Sequence, residues 1–191
     1  ILYNWRTHEN STAGNPDSKQ YAIDAGKRAL EEHYARLGID AEVRYTGIFI
    51  MFESVLKVKD NPKVSILIPS KDHVEDLDKC IKKKCMYPSY EILIIENNST
   101  EEATFSYYKE LEAQGIRVLK YPKQGFNYSA INNYGESFAT GDYYVLMNND
   151  IEVITPQWME YMLGYCQREN TGIVGAKLYY PDDTVQHCGV V

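Results

Sequence analysis

The sequence predicts an α/β protein: a mostly parallel sheet with flanking helices, preceded by a small helix-plus-hairpin segment. Three observations carry this. Beyond Pro62, apolar runs of strand length alternate with stretches of helical periodicity. The runs are apolar throughout rather than alternating, which fits strands buried on both faces. The connections are short, which favours right-handed crossovers and a parallel sheet.

Before Pro62 the pattern differs. Ile1 to about Gln20 has no clear period and holds Trp5-Arg6 and a polar, turn-rich stretch from Glu9 to Ser18. Tyr21 to Leu37 reads as a helix, with Ala22, Ala25, Ala29, Leu30, Tyr34 and Leu37 on one stripe. Asp17 or Ser18 stands where its start could be capped, and Gly38 where a C-terminal cap belongs. Ala41 to Tyr45 and Ile48 to Val58 are β-rich runs separated by Thr46-Gly47, a hairpin pattern. Asp60-Asn-Pro62 reads as a linker, so the expected division is 1–20, 21–61 and 62–191.

From Val64 the elements follow in order. Val64 to Ile68 is a β-branched run closed by Pro69. A helix is expected through Val74, Leu77, Ile81 and Cys85, ended by Tyr87-Pro88. Ile92 to Ile95 is the next buried strand, and Ser99 with Glu102 form a capping-box pattern for a helix carrying Phe105, Tyr108 and Leu111. Gly115 ends it. Ile116 to Tyr121 is a third strand. Gly125-Phe-Asn127 leads into a helix from about Ser129 to Ala139. Tyr143 to Met147 reads as a short buried strand, Thr155-Pro156 as a helix start, and Ile173 to Leu178 as a last strand before the Pro181-Asp-Asp183 turn.

The totals narrow the function. At 191 residues the chain can bury one good core. A net charge of -7 argues against a nucleic-acid binder, and the Lys79, Lys82, Lys83, Lys84 cluster reads as a solvated helix face. Cys80, Cys85, Cys166 and Cys188 lack CxxC spacing and are expected to be free thiols in a reducing, cytoplasmic compartment. No apolar run reaches bilayer-spanning length and no signal peptide is read. The first residue is not Met, and Gly189-Val-Val191 is an apolar ending without a stop signal. A piece of something longer is expected.

In a parallel sheet every strand's carboxyl end opens on one edge, where ligands bind. This sequence places there Pro69-Ser-Lys-Asp72, Glu96-Asn-Asn-Ser99 and Asn148-Asn-Asp150, with Gly125 to Asn133 close by. One such end is ordinarily a turn; three converging ends suggest a site. Asp150 beside Asn148 could serve as a half-site for a hard cation, whose other positions go to phosphate and water. GxGxxG after the first strand, GxxxxGK[ST] and GxSxG are all missing, which argues against dinucleotide, P-loop and α/β-hydrolase sites.

Val64-Ser-Ile-Leu-Ile-Pro-Ser-Lys-Asp72, Ile92-Leu-Ile-Ile-Glu-Asn-Asn-Ser-Thr100, Asn133-Tyr-Gly135 with Ala139-Thr-Gly141, and Leu146-Met-Asn-Asn-Asp150 resemble the successive motifs of family 2 glycosyltransferases, which have the GT-A fold. Asn148-Asn-Asp150 and Val185-Gln-His-Cys-Gly-Val-Val191 look like the rhamnosyltransferase-type branch, common in O-antigen and cell-surface polysaccharide synthesis. Leu2-Tyr-Asn-Trp-Arg6 resembles the tail of a preceding module in tandem enzymes.

The resemblance implies roles position by position. Pro69, Ser70 and Lys71, with Asp72 following, would line the base pocket. Glu96 stands where the family has an Asp accepting from the uracil or thymine ring N–H, one methylene longer, with Asn98 alongside. Asn127 and Asn133 match positions near the base and diphosphate. Asn148 and Asn149 replace the first carboxylate of the Asp-x-Asp motif and would face the ribose. Asp150 matches the ligand that holds Mg²⁺ or Mn²⁺. The implied activity is inverting transfer from a UDP- or dTDP-sugar to a glycan or lipid-linked glycan acceptor, by an enzyme that is cytoplasmic or peripheral at the inner face of the membrane.

The general base that inversion needs is expected beyond Val191, since Asp182 and Asp183 read as a turn, so this piece alone is expected to bind nucleotide weakly and to be inactive. His187 and the 17 tyrosines are as well explained by ordinary surface and packing roles. Two other readings stay open. A sugar-nucleotide pyrophosphorylase would carry a glycine-rich, arginine-containing loop where Ser70-Lys-Asp-His73 stands. A degenerate, non-catalytic module that binds a partner module or glycan would tolerate Asn148.

Overall fold

The computed structural model describes residues 20–82 and 85–189. The features expected at Trp5-Arg6, Asp17, Ser18, Lys83, Lys84 and Val190-Val191 lie outside them. The chain divides into two compact units, one comprising Ile1–Val58 with Tyr161–Val191 and the other Lys59–Glu160.

In the first unit α1 (Gln20–Arg36) precedes β1 (Ala41–Tyr45) and β2 (Phe52–Leu56), which pair antiparallel with Tyr45 opposite Phe52. Gly38, at φ 66°, ends the helix as expected, and the Ile39 N–H bonds back to the Tyr34 carbonyl. Its inward face differs from the expected stripe. Ile23 is buried and Gly26 meets the Phe52 ring, whereas Ala25, Ala29 and Leu37 are exposed. The cause is local: without a Cβ at Gly26 the Phe52 ring can lie against the helix, and that sets the helix rotation. Ile48 to Met51, expected as strand, form the hairpin's turn instead.

The second unit holds β3 (Val64–Ser70), α2 (Val74–Lys82), β4 (Tyr90–Glu96), α3 (Glu102–Ala113), β5 (Arg117–Lys120), α4 (Tyr128–Glu136) and β6 (Tyr143–Leu146). The four strands are parallel in the order β5-β4-β3-β6. Leu67, Leu93, Ile95, Tyr121 and Ile131 form a buried cluster on the α4 side. At the amino-terminal edge the Glu91 carboxylate accepts from the Ser65 hydroxyl (2.7 Å), the Thr140 N–H (2.7 Å) and the Thr140 hydroxyl (2.9 Å), and pairs with Lys63 at 3.3 Å. Gly141 passes so close to β3 that a Cβ there would sit 2.7 Å from the Ser65 nitrogen.

Three expectations are corrected here. β6 is not buried on both faces: it lies at the end of the sheet order, and Tyr144 and Leu146 are 47% and 54% exposed. The capping box of Ser99 and Glu102 is not formed. Glu101 is the N-cap of α3 without a side-chain cap bond: the Ser99 N–H that Glu102 would take goes to Glu96, the Ser99 hydroxyl accepts from the Asp72 N–H, and the Asp72 carboxylate takes the Thr100 and Glu101 N–H groups. The strand at Ile173 to Leu178 reduces to β7 (Leu178–Tyr179), paired with β8 (Val185–His187), with Ile173 90% exposed. Between β6 and β7 runs α5 (Trp158–Cys166). No described helix is long and apolar enough to cross a membrane.

Candidate functional site

The chain builds β3, β4 and β5 outward in one direction and then returns to lay β6 on the other side of β3. That reversal is a topological switch point, and crevices in open α/β sheets form there, outside the carboxyl ends of the strands. Ser70 stands level with Glu96, and Glu96 with Lys120. Leu146 stands opposite Leu67, and the Met147 N–H still donates to the Leu67 carbonyl at 3.0 Å. The Asn148–Asp150 turn therefore leaves the sheet beside the Pro69–Ser70 tip.

The β3 tip is strained and clamped. Asp72 and His73 both adopt left-handed backbone, φ 51° and 53°, which side-chain-bearing residues seldom take. The buried Asp72 carboxylate turns to the start of α3, accepting from the Thr100 N–H (2.9 Å), the Glu101 N–H (3.0 Å) and the hydroxyls of Thr100 (3.3 Å) and Thr104 (3.4 Å). The Glu101 N–H foremost, opposed by burial and helped by Thr100 and Thr104, holds this carboxyl below the usual range. The Asp72 side chain is thus turned inward, onto protein donors. Lys71 is exposed and Pro69 half-buried.

At the β4 tip Glu96 is buried and its carboxylate accepts the Ser99 N–H. Asn97 is 4% exposed, yet its side-chain carbonyl has no hydrogen-bond partner. Asn98, at φ 61°, donates its amide to the Lys123 carbonyl and accepts the Gly125 N–H, both at 3.2 Å, which fixes the loop leading to α4. Asn127 caps α4 by accepting from the Ala130 N–H at 3.0 Å, and Asn133 is exposed on that helix. Its neighbour Asn132 is buried, bonded to the Tyr128 carbonyl through its amide, with its own carbonyl unpartnered. Neither Asn97 nor Asn132 stands out in the sequence. An Asn one place from a conspicuous carboxylate carries no local signal of burial, although strand alternation places Glu96 and Asn97 on opposite faces.

The β6 tip is open. Asn148 and Asp150 are exposed, and Asn149 is half-buried. The Cys80 thiol donates to the Asn148 carbonyl at 3.6 Å; burial first, and the negative charge of Asp150 second, push this thiol up to about 11. Asp150 thus lies near the end of α2, and among the described residues its carboxylate makes no hydrogen bond or ion pair. No group of three or more His, Cys, Asp or Glu side chains comes together among those residues. One free carboxylate flanked by amide carbonyls nevertheless fits Mg²⁺ or Mn²⁺, which take one or two protein carboxylates and fill the rest of the shell with phosphate and water. Asp182, by contrast, is spent on a turn, accepting from the Thr184 N–H (3.0 Å) and hydroxyl (2.6 Å).

A parallel α/β sheet with polar strand tips at its switch point is the architecture of GT-A proteins. Residues 65–189 match the model of glycosyl transferase family 2, and the chain belongs to that family. Over its whole length it is 39% identical to the uncharacterized protein y4gI of Sinorhizobium fredii and 37% identical to the O-antigen biosynthesis protein RfbC of Myxococcus xanthus. It spans 22% and 15% of those relatives. A mannosyltransferase from Pyrobaculum calidifontis, solved with GDP-Man and Mn²⁺, shares the fold at a TM-score of 0.55 and 14% identity, covering 86% of this chain and 46% of that one.

Proposed function

We propose that the chain is the donor-binding part of a nucleotide-sugar-dependent, metal-assisted, inverting glycosyltransferase acting on glycan acceptors in cell-surface polysaccharide synthesis. The observation that carries this reading is the exposed Asp150 carboxylate, without a partner among the described residues, beside the β3 tip at the switch point. The O-antigen role named for the Myxococcus relative supports the pathway class, and a mannosyltransferase of this fold solved with GDP-Man and Mn²⁺ supports a nucleotide-sugar donor and a divalent ion.

Breaking a sugar–diphosphate bond requires holding the charge that grows on the leaving nucleoside diphosphate. A divalent cation, which Asp150 would hold, would supply that stabilisation as Lewis acid and template. Asp150 anchors it, and the Asn148 and Asn149 amides, which are uncharged, leave room for ribose hydroxyls. The base lies toward β4. There Glu96 accepts the Ser99 N–H through one carboxylate oxygen and keeps the other to accept a ring N–H. Asp72 works indirectly, by fixing the tip that carries Pro69 to Lys71.

The alternative is a non-catalytic glycosyltransferase-like module, favoured by the loss of a carboxylate at Asn148. Calorimetric titration with UDP-, dTDP- and GDP-sugars, with and without Mn²⁺, separates the two. The transferase reading expects binding of one donor that depends on Mn²⁺, is lost in Asp150→Ala and falls at least about tenfold in Glu96→Ala, the loss of one hydrogen bond to a charged acceptor. Absence of binding to every donor favours the non-catalytic module.

A further inference from the structure

The turn that carries Asp150 is closed by a weak bond. Asn148 to Ile151 make one four-residue turn, with Asp150 in its third position and the Ile151 N–H donating to the Asn148 carbonyl at 3.4 Å. That distance lies beyond the usual N–H···O range. The sheet's hold on the chain ends just before, with the Met147 N–H on the Leu67 carbonyl. A carboxylate on so lightly tied a turn would lose much of its freedom on taking a cation, and that loss weakens binding.

One atom of a neighbouring element meets both groups that close this turn. Cys80, 5% exposed, lies in the last turn of α2. Its thiol donates to the Asn148 carbonyl at 3.6 Å, and its sulfur accepts from the Ile151 N–H. Met147 Sδ lies 3.6 Å from the same sulfur. A buried cysteine commonly serves as a small apolar filler. This one has its donor and its acceptor directed at the backbone on either side of Asp150.

We propose that Cys80 is the positioning residue for the cation ligand Asp150: its sulfur holds the Asn148–Ile151 turn closed against α2, so that the carboxylate is fixed before a cation arrives. Groups beyond the ligands commonly orient them in this way in metal sites. The inference rests on the reading of Asp150 as the cation's ligand. Cys80 itself touches neither the cation nor the nucleotide; it acts through the turn.

Because the sulfur also lines a small cavity with Ile66, Ile81, Met147 and Trp158, removing it costs stability whatever it does for the turn. The decisive quantity is therefore the gain in nucleotide affinity on adding Mn²⁺, titrated with UDP and with GDP on the 191-residue chain. In Cys80→Ala, and in Cys80→Val, which keeps bulk beside the cavity, that gain should shrink about three- to tenfold, the worth of a lost hydrogen bond. Affinity without Mn²⁺ should hold. Cys80→Ser, which keeps a donor and an acceptor, should return the gain to within about twofold of the natural one. Ile81→Ala enlarges the same cavity but removes no hydrogen bond, and should leave the gain unchanged. Before any ligand is added, the Ile151 amide should exchange faster in Cys80→Ala and Cys80→Val than in the natural chain. A gain that survives both substitutions, an equal loss in Ile81→Ala, a Cys80→Ser variant no better than Cys80→Ala, or an Ile151 amide as protected as before overturns the proposal. A natural chain with no gain from Mn²⁺ overturns the reading of Asp150 as a cation ligand, and the role of Cys80 falls with it.

Discussion

Replacing Asp72 tests how the site is held together. In Asp72→Ala the Thr100 and Glu101 N–H groups and the Thr100 and Thr104 hydroxyls lose their common acceptor. Removing a charged helix cap costs about 1–2 kcal/mol. Alanine also lacks the local hydrogen bonding that lets Asp tolerate left-handed backbone, adding roughly 1 kcal/mol. The buried Thr104 hydroxyl, left without that acceptor, adds up to about 1 kcal/mol. The expected loss is about 2–4 kcal/mol in urea unfolding. Asp72→Asn keeps one acceptor oxygen and the backbone preference, so it should lose only about 1 kcal/mol. The sign with pH follows from the depressed carboxyl. Its contribution is complete above the ordinary carboxylate range and fades as pH falls below about 4, so natural protein and Asp72→Asn should converge in acid. An Asp72→Ala variant within about 0.5 kcal/mol of the natural protein would refute the clamp. An Asp72→Asn variant of unchanged stability that no longer binds nucleotide would make Asp72 a ligand contact instead.

Glu91 gives a second acid-side effect. Burial pushes its carboxyl up, but the Ser65 and Thr140 hydrogen bonds and Lys63 pull it down to about 2. The stabilisation is whole above about pH 4.5 and disappears toward pH 2, with a ceiling of about 3 kcal/mol and about 1–2 after solvent screening; Glu91→Gln should flatten the stability–pH curve across that window. Gly164 in α5 packs directly on the Leu56 backbone, where a Cβ would overlap the carbonyl group. Gly164→Ala should therefore lower stability by about 1–3 kcal/mol despite alanine's better helix propensity, and a thermal midpoint equal to or above the natural one would contradict that packing.

What was legible in the sequence follows from what is local. The centres of β3 and β4, Ile66 to Ile68 and Ile92 to Ile95, are apolar runs because both faces are covered, and periodicity finds such strands to within two residues. The edge position of β6 was not legible, since Tyr-Tyr-Val-Leu reads alike with one neighbouring strand or two. The Ser99/Glu102 pattern promised a local cap, but the Ser99 N–H goes to Glu96 and the Ser99 hydroxyl to the Asp72 N–H, 27 residues away. Ile48 to Met51 read as strand because strand propensity rewards their large apolar side chains, whereas Phe49 turns the chain at φ 47°. In the site, the clustering of three tips was visible from topology alone. Which atoms remain free was not: the Asp72 carboxylate looks available in sequence and is taken up by the start of α3, Glu96 gives one oxygen to the Ser99 N–H, and Asn97 looks ordinary yet has an unpartnered acceptor.

The central claim is that the tips of β3, β4 and β6 surround one nucleoside diphosphate held through a cation on Asp150. Paramagnetic broadening by Mn²⁺ added with UDP or GDP reads this directly in amide spectra. Signals from residues 70–72, 96–99 and 148–150 should be lost, while Lys63, Glu91 and Thr140, about 20 Å away at the other end of the sheet, stay sharp, and all signals should recover in Asp150→Ala. Broadening centred elsewhere, or unchanged by that substitution, would contradict it.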